Sequence, residues 1–381
     1  MDIAVAHLSL NFLGGEENLC LSFINSLKSS GHRVTLFTVE KTDWKLVERT
    51  FGHFMSPDEE VWSSRMNLHF NLSKTRDVVW AYSAYVSGLI KLNSSKKYDL
   101  VINTYGDLVN SIADLAYVHF PIKATLDFAQ TPVFVSPVKW RVYCEAYNLL
   151  TTGLDKLDPS ILLTNSAFTR QVVKRYLKRD ATVLYPPVDV KKYASSNVKR
   201  ENCIVTISKF TPKRHLNRIP LIAKKMRSAK FYVIGGADKY SEDTIKQLRG
   251  TIRKCGVENN VILLPNASRC QLMEILTHAK AYLHVMPDEH FGISIVEAMA
   301  SGCVPIVHRS GGPWIDLLGQ QQGKTGFSYS SVLEAADLLD LVISDDRLRS
   351  RVSFEAQRRS LNYDRSIFQQ KLISIVNKLA S

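Results

Sequence analysis

Residues 281–308 read Ala-Tyr-Leu-His-Val-Met-Pro-Asp-Glu-His-Phe-Gly-Ile-Ser-Ile-Val-Glu-Ala-Met-Ala-Ser-Gly-Cys-Val-Pro-Ile-Val-His. A β-prone apolar run (281–285) leads into a polar turn. An apolar segment with the character of a buried helix follows, then a second β-prone run (304–308). Strand, crossover helix and strand in that order make a parallel βαβ unit. Outward from it the alternation repeats. Candidate strands at 204–208, 231–234 and 261–264 complete one series, and 3–8, 34–39, 100–104, 116–119 and 161–164 form another.

The two series are separated by Tyr185-Pro186-Pro187-Val188-Asp189 and a polar stretch over 194–202. Prolines and a Ser- and Lys-rich run mark a linker. The expected division is a first domain over 1–197 and a second over 198–364. Residues 365–381 form a terminal helix with Ile367, Phe368, Leu372, Ile375, Val376 and Leu379 on one face. The fold class is therefore α/β, and 381 residues suffice for two domains.

A hydrophobic share of 45% with 22% charged residues belongs to a globular chain and excludes a disordered or fibrous one. No apolar run approaches the roughly 18 to 20 residues of a spanning helix. Neither a signal peptide nor a membrane anchor is expected. Six scattered cysteines without a CxxC pair suggest neither a metal site nor a disulfide framework, and fit a reducing cytoplasmic compartment. The net charge of +13 is uneven. Residues 1–197 carry 22 Lys+Arg against 19 Asp+Glu, and residues 198–381 carry 27 against 17. A basic second half favours a polyanionic partner: a nucleotide diphosphate, an anionic membrane surface or nucleic acid. Nucleic acid is not expected, since no recognition module or aromatic-basic interleaving appears.

Ligands of open α/β sheets sit beyond the carboxyl ends of the strands, so chemistry is sought in the loops there. Gly14-Gly15 after the first strand offers either an anion cradle or a tight strand-to-helix turn. In 288–300 two carboxylates, Glu289 and Glu297, are separated by seven residues. Glu297 lies in an almost wholly apolar helix and needs hydrogen-bond donors. A ribose diol would supply them, as would internal groups of the protein. Gly292 frees first-turn N–H groups to face a phosphate. Residues 208–215 bring Lys209, Lys213 and Arg214 into one loop. Cations there would stabilise a departing diphosphate without a metal, or form only a solvated basic turn; no Asp-x-Asp motif occurs. His119 ends a first-half strand, either as a sugar contact or as a satisfied structural residue. Ser310-Gly311-Gly312-Pro313 is a further backbone cradle. The basic segment Arg170, Lys174, Arg175, Lys178, Arg179 with Phe168, Val172, Val173 and Tyr176 can lie on an anionic bilayer or bury its apolar side in a core.

Taken together, these segments resemble the family 4 glycosyltransferases. The likeness rests on Glu289-x7-Glu297, the Ala298–Gly302 run, Val304-Pro305 through Gly311-Gly312-Pro313, Gly14-Gly15, Thr164-Asn165-Ser166, Pro186–Asp189 and Gly235-Gly236. It is close from about 203 to 327 and loose before that. The resemblance implies the GT-B fold: two Rossmann-like domains facing across a cleft, with the C-terminal helix packing back toward the first. It implies transfer with retention from a nucleotide diphosphate sugar, with no metal cofactor. Glu297 would bind the ribose, and Glu289 would lie beside the transferred sugar. Phe291, Gly292, Ile293 and Ser294 would give backbone contacts to the donor, and Gly14 and Gly15 would contribute from the first domain. His119, Lys209, Arg214 and Glu289 are the expected catalytic set. The family usually has Arg then Lys five apart, whereas Lys209 and Arg214 stand here in exchanged order. Within the family, His119-Phe120-Pro121 and 311–316 look most like the mannosyltransferases of dolichol-linked oligosaccharide. That suggests GDP-mannose and a lipid-linked glycan acceptor, with the enzyme peripheral on the cytoplasmic membrane face. Two other functions share this pattern: a phosphorylase or soluble disaccharide synthase, and a non-catalytic basic protein binding nucleotide or membrane.

Overall fold

The computed structural model describes residues 1–63, 75–107, 109, 112–128, 138, 140–142, 144–145, 161–193, 198–238 and 240–380. The chain forms two compact units, Met1–Pro187 with Ser366–Ser381, and Val188–Arg365.

The first unit holds a wholly parallel sheet of β1 (Asp2–Ala6), β2 (Arg33–Thr38), β3 (Glu59–Trp62), β4 (Leu100–Asn103), β5 (Leu115–Val118), β6 (Ile161–Thr164) and β7 (Thr182–Val183). Its order is β3-β2-β1-β4-β5-β6-β7. The described helices α1 (Gly15–Ser29), α2 (Trp44–Phe51), α3 (Thr75–Ser94) and α4 (Ala167–Leu177) cross over between strands. Because parallel sheets are covered on both faces, the central strands are continuous apolar runs, and Ile3, Val5, Leu36 and Ile102 are fully buried.

The second unit repeats the plan with β8 (Glu201–Ile207), β9 (Lys230–Gly235), β10 (Val261–Pro265), β11 (Ala279–His284), β12 (Val304–His308) and β13 (Phe327–Tyr329), ordered β10-β9-β8-β11-β12-β13. Its helices are α5 (Val190–Tyr193), α6 (Arg218–Ala223), α7 (Glu242–Cys255), α8 (Arg269–His278), α9 (Ile293–Ala300), α10 (Val332–Ser344) and α11 (Asp346–Ser360). The strand order reverses between β8 and β11, where an open sheet leaves a crevice for ligands. The register pairs Val205 with Tyr282 and Ile207 with Ile234, so the loops after β8, β9 and β11 leave one edge together.

The last helix, α12 (Arg365–Ala380), buries Phe368, Leu372 and Val376 in the core of the first unit. Phe368 meets Phe23 of α1 edge-on at 5.5 Å. This is the packing expected of the terminal helix. The domain boundary moves, however: residues 188–193, read as part of the first domain, belong to the second. Val188 N–H donates to the Tyr363 carbonyl (2.9 Å), Arg365 N–H donates to the Val188 carbonyl (3.1 Å), and Asp189 pairs with Arg365 at 2.8 Å. Residues 194–197 of the expected linker lie outside the described residues.

The basic segment near 170 resolves toward the core. Helix α4 buries Phe168, Val172 and Val173, with Phe168 against Phe120 and Phe128. The helix stops at Lys178 in a left-handed conformation, so Lys178 and Arg179 lie outside it. Its apolar side is spent on the fold, the second of the two readings of this segment, and is not available to enter a bilayer. Among the described residues no helix is long and apolar enough to cross a membrane. All six cysteines are free.

At the end of β9, a Cβ built on Gly235 would lie 1.8 Å from the Ser208 carbonyl oxygen, whereas one on Gly236 meets nothing within 4 Å. Gly235→Ala is expected to destabilise the protein by about 3 kcal/mol because backbone must move, and Gly236→Ala by far less. Paired urea unfolding curves check the contrast.

Candidate active site

The site of the second unit forms where four loops leave the carboxyl edge of its sheet. After β8, residues 208–215 continue the ladder past the strand: Ser208 N–H donates to the Ile234 carbonyl (2.8 Å) and Phe210 N–H to the Gly236 carbonyl (3.1 Å). Phe210 is fully buried and anchors the loop. One 3-10 turn, Pro212–Arg214, then aims the cations.

Arg214 Nη1 donates to Glu289 Oε2 at 2.7 Å, and His284 Nε2 lies 3.4 Å from the same oxygen. Burial opposes the charge of Glu289, yet Arg214, with the His284 hydrogen bond and the nearby His290, holds the carboxyl well below the usual carboxylate range. His290 is lowered too, but there the lowering removes charge. Burial, aided by Arg214 and Lys213 and opposed by Glu289, lowers it to about 4, so its ring is neutral at pH 7. Lys213 is brought down to about 8 by burial and by Arg214. Lys209 is exposed beside them at the loop's start.

The loop carrying Glu289 is fixed by its backbone. Asp288 adopts a left-handed conformation (φ 51°), and its N–H donates to Ser310 Oγ at 2.8 Å. Gly312 N–H donates to the Glu289 carbonyl at 2.8 Å. A Cβ on Gly311 would stand 2.4 Å from the Glu289 carbonyl oxygen, and one on Gly312 2.1 Å from that of His290. The Ser310-Gly311-Gly312 stretch, read as an anion cradle, thus cradles the neighbouring loop. Gly292, with φ 93°, caps α9: its carbonyl accepts from the Ile295 and Val296 N–H groups (3.0 and 3.3 Å), which leaves the N–H groups of Ile293 and Ser294 without an acceptor in the helix. The Phe291 side chain is buried edge-on to Tyr363 at 5.3 Å, and Ser294 Oγ lies 2.8 Å from the Tyr282 hydroxyl. One turn on, Glu297 Oε1 accepts the Tyr193 hydroxyl at 2.6 Å, and Arg269 Nη2 donates to that hydroxyl at 3.1 Å. Burial raises the Glu297 carboxyl, with the Tyr193 hydrogen bond opposing.

Lys213, His284, His290, Tyr193 and Arg269 were not among the expected site residues. Lys213 was visible as a third cation in its loop, but Tyr193 and Arg269 gave no signal, being 104 and 28 positions from Glu297.

Gly14, Gly15 and His119 belong to the first unit, where one chain of polar contacts links two of them. Gly14 N–H donates to Glu17 Oε2 at 2.5 Å. Glu17 Oε1 lies 3.6 Å from His7 Nε2, and His7 Nδ1 lies 3.0 Å from Thr104 Oγ1. The Thr104 carbonyl accepts from His119 Nε2 at 3.1 Å. The Gly14 donor expected to meet a bound anion therefore already meets a carboxylate of the chain, which corrects its reading as a free cradle; Gly15 is the first, exposed residue of α1. His119 is 7% exposed, and Asp107 holds its loop by accepting from the His119 and Phe120 N–H groups (2.5 and 2.9 Å).

Comparison with known proteins locates these features. Residues 189–359 match the family model described as glycosyl transferases group 1. The chain is similar to a GDP-Man:Man(3)GlcNAc(2)-PP-Dol alpha-1,2-mannosyltransferase of Dictyostelium discoideum. The two are 24% identical over 306 residues, 71% of this chain and 60% of that protein. The enzyme of the same description from Mus musculus is 33% identical over 225 residues, 54% of this chain and 46% of that protein. The chain thus spans about half the length of these relatives. Among solved structures, sucrose-phosphate synthase from Thermosynechococcus elongatus superposes with a TM-score of 0.78 at 12% identity, over 100% of this chain and 99% of that one. The fold is that of the GT-B glycosyltransferases, with two Rossmann-like units.

The depressed Glu289 carboxyl contributes stability that is present above its ordinary value of 4.5 and is lost as pH falls through the folded value. Glu289→Gln is expected to lose that part of the pH dependence, so the gap in Tm between wild type and variant narrows from pH 7 to pH 3. Thermal unfolding across that range checks it.

Proposed function

We infer, from a chain whose residues 189–359 are a glycosyl transferases group 1 domain, that it moves a sugar from a nucleotide diphosphate donor to an acceptor hydroxyl with retention of configuration. The observation that carries this reading is the cationic loop of Lys209, Lys213 and Arg214, from which Arg214 pairs with the ionised Glu289. Helix α9 stands in the same loop system, with the open N–H groups of Ile293 and Ser294 and with Glu297 one turn on. These are contacts for a diphosphate, a sugar and a ribose in one strand-edge crevice.

Three features support the chemical division of labour. The bond from anomeric carbon to phosphate oxygen breaks as the acceptor oxygen attacks from the same face, and the departing phosphate oxygen takes the acceptor's proton. No protein nucleophile is needed. Charge grows on the diphosphate as the bond breaks, so Lys209, Lys213, Arg214 and the α9 amides stabilise the transition state more than the ground state. Charge-assisted bonds of this kind contribute about 1.5 to 3 kcal/mol each. Glu289, held by Arg214, His284 and the Gly312 backbone, presents a fixed carboxylate to the sugar hydroxyls. The neutral His290 adds no competing charge. The cations take the place of a metal ion, so the reaction is metal-independent.

The activity of the similar mannosyltransferases supports the finer proposal: GDP-mannose as donor and a lipid-linked glycan as acceptor. Family 4 membership rests on the Glu289-x7-Glu297 spacing. A lipid-linked acceptor would bring the chain to a membrane surface.

At 100 times its dissociation constant a ligand stabilises by about 2.7 kcal/mol. GDP is expected to raise Tm more than UDP or ADP, and Glu297→Ala to abolish the shift. No shift with any of the three would count against the donor site. Turnover of GDP-mannose should fall at least tenfold in Arg214→Ala and Lys209→Ala and be unchanged by EDTA. A radiolabelled-sugar transfer assay reads both.

A further inference from the structure

Glu297 sits on a helix whose neighbours Ile295, Val296, Ala298, Met299 and Ala300 are all buried. Its carboxylate receives a proton from a residue far off in the chain: the Tyr193 hydroxyl, 2.6 Å from Oε1. A phenol has one proton to give, and Tyr193 gives it to Glu297. What the phenol oxygen accepts comes from Arg269, whose Nη2 lies 3.1 Å away and whose guanidinium stands 5.7 Å from the centre of the same ring.

Tyr193 is itself held. Its ring is 4% exposed, and Asp189 at the start of the same turn is paired with Arg365 at 2.8 Å and with Lys192 at 2.9 Å. A fixed donor on Oε1 stops the carboxylate turning about its last torsion. It also uses one of roughly four acceptor positions and leaves Oε2 with both of its own. A carboxylate so fixed keeps acceptors for two hydroxyls a fixed distance apart, as in a cis-diol.

We propose that Tyr193 and Arg269 are positioning residues that orient Glu297 for a ribose diol and thereby give the site its selectivity for ribonucleotides over deoxyribonucleotides. The proposal rests on the reading that Glu297 binds the donor's ribose. Arg269 polarises the phenol and Tyr193 passes that orientation to Glu297; neither touches the reacting atoms. The same geometry, if it served only to satisfy a buried carboxylate, would affect stability and leave selectivity untouched.

The experiment is isothermal titration of wild type, Tyr193→Phe and Arg269→Gln with GDP, 2′-deoxy-GDP and 3′-deoxy-GDP. Thermal unfolding of each protein serves as the fold check. Tyr193→Phe keeps the buried ring and removes only the hydroxyl, and Arg269 is exposed, so its replacement leaves the core alone. Wild type is expected to prefer GDP to either deoxy analogue. In Tyr193→Phe, GDP affinity should drop about tenfold while the analogues change little, so that the preference collapses. Arg269→Gln should shift the ratio in the same direction by a smaller factor. If wild type binds GDP with a clear preference and both variants keep that ratio, the positioning role is overturned and the donor site stands. An equal loss for all three ligands in the variants also overturns it, in favour of a structural role. If wild type binds none of the three, the donor reading falls and this inference with it. Should Tyr193→Phe fail to fold, Arg269→Gln decides alone.

Discussion

A carboxylate that must stay charged while largely withdrawn from water organises the second unit. Glu289 is held ionised by Arg214, with His284 at the same oxygen and Gly312 fixing its backbone. Removing one partner of such a pair leaves a charge with nothing to offset its desolvation, which is far costlier than never having had the pair. The loops after β8, β11 and β12 are therefore tied to one another by electrostatics as well as by backbone contact. The cations are arranged as a consequence. Arg214 is spent partly on Glu289, Lys213 is brought down to about 8 by burial and by Arg214 and so stays mostly charged at pH 7, and Lys209 remains in solvent. Three charges in one loop thus have three different environments, which composition alone does not distinguish.

Much of the fold was legible because parallel strands are covered on both faces and so appear as unbroken apolar runs. β1, β2, β4, β6, β9, β11 and β12 were all readable within a residue or two for that reason. The strands that were missed lie at the edges. β3 carries Glu59 and Glu60, and β7 and β13 have two and three residues, too few for a pattern to rise above background. The linker was placed from its prolines and polar run, yet Val188 and Asp189 are captured by Tyr363 and Arg365, a contact across some 175 positions that no local signal announces.

The site divides in the same way. Glu289, Glu297, Gly292 and the cationic loop are set by local spacing and were visible. Residues whose role depends on a distant partner were not. Tyr193 looks like any aromatic after a proline turn until Glu297 is brought beside it. Gly14 misled for the converse reason: Glu17, three residues on, fills the donor that the glycine pair seemed to offer. The basic segment at α4 had two consistent readings, and only the packing of Phe168 and Val173 separates them.

The contact of Gly311 and Gly312 with the Glu289–His290 backbone bears on how this molecule can change over generations. Two peptide segments that meet without room for a single methyl group cannot drift separately. They are inherited as one block, and a substitution in either is judged by its fit to the other. New preferences for a sugar or a leaving group must then arise through side chains that leave this backbone in place, at positions such as Lys209, or in segments outside the block altogether. Crowding of backbone against backbone thus sets which part of the site can vary and which cannot.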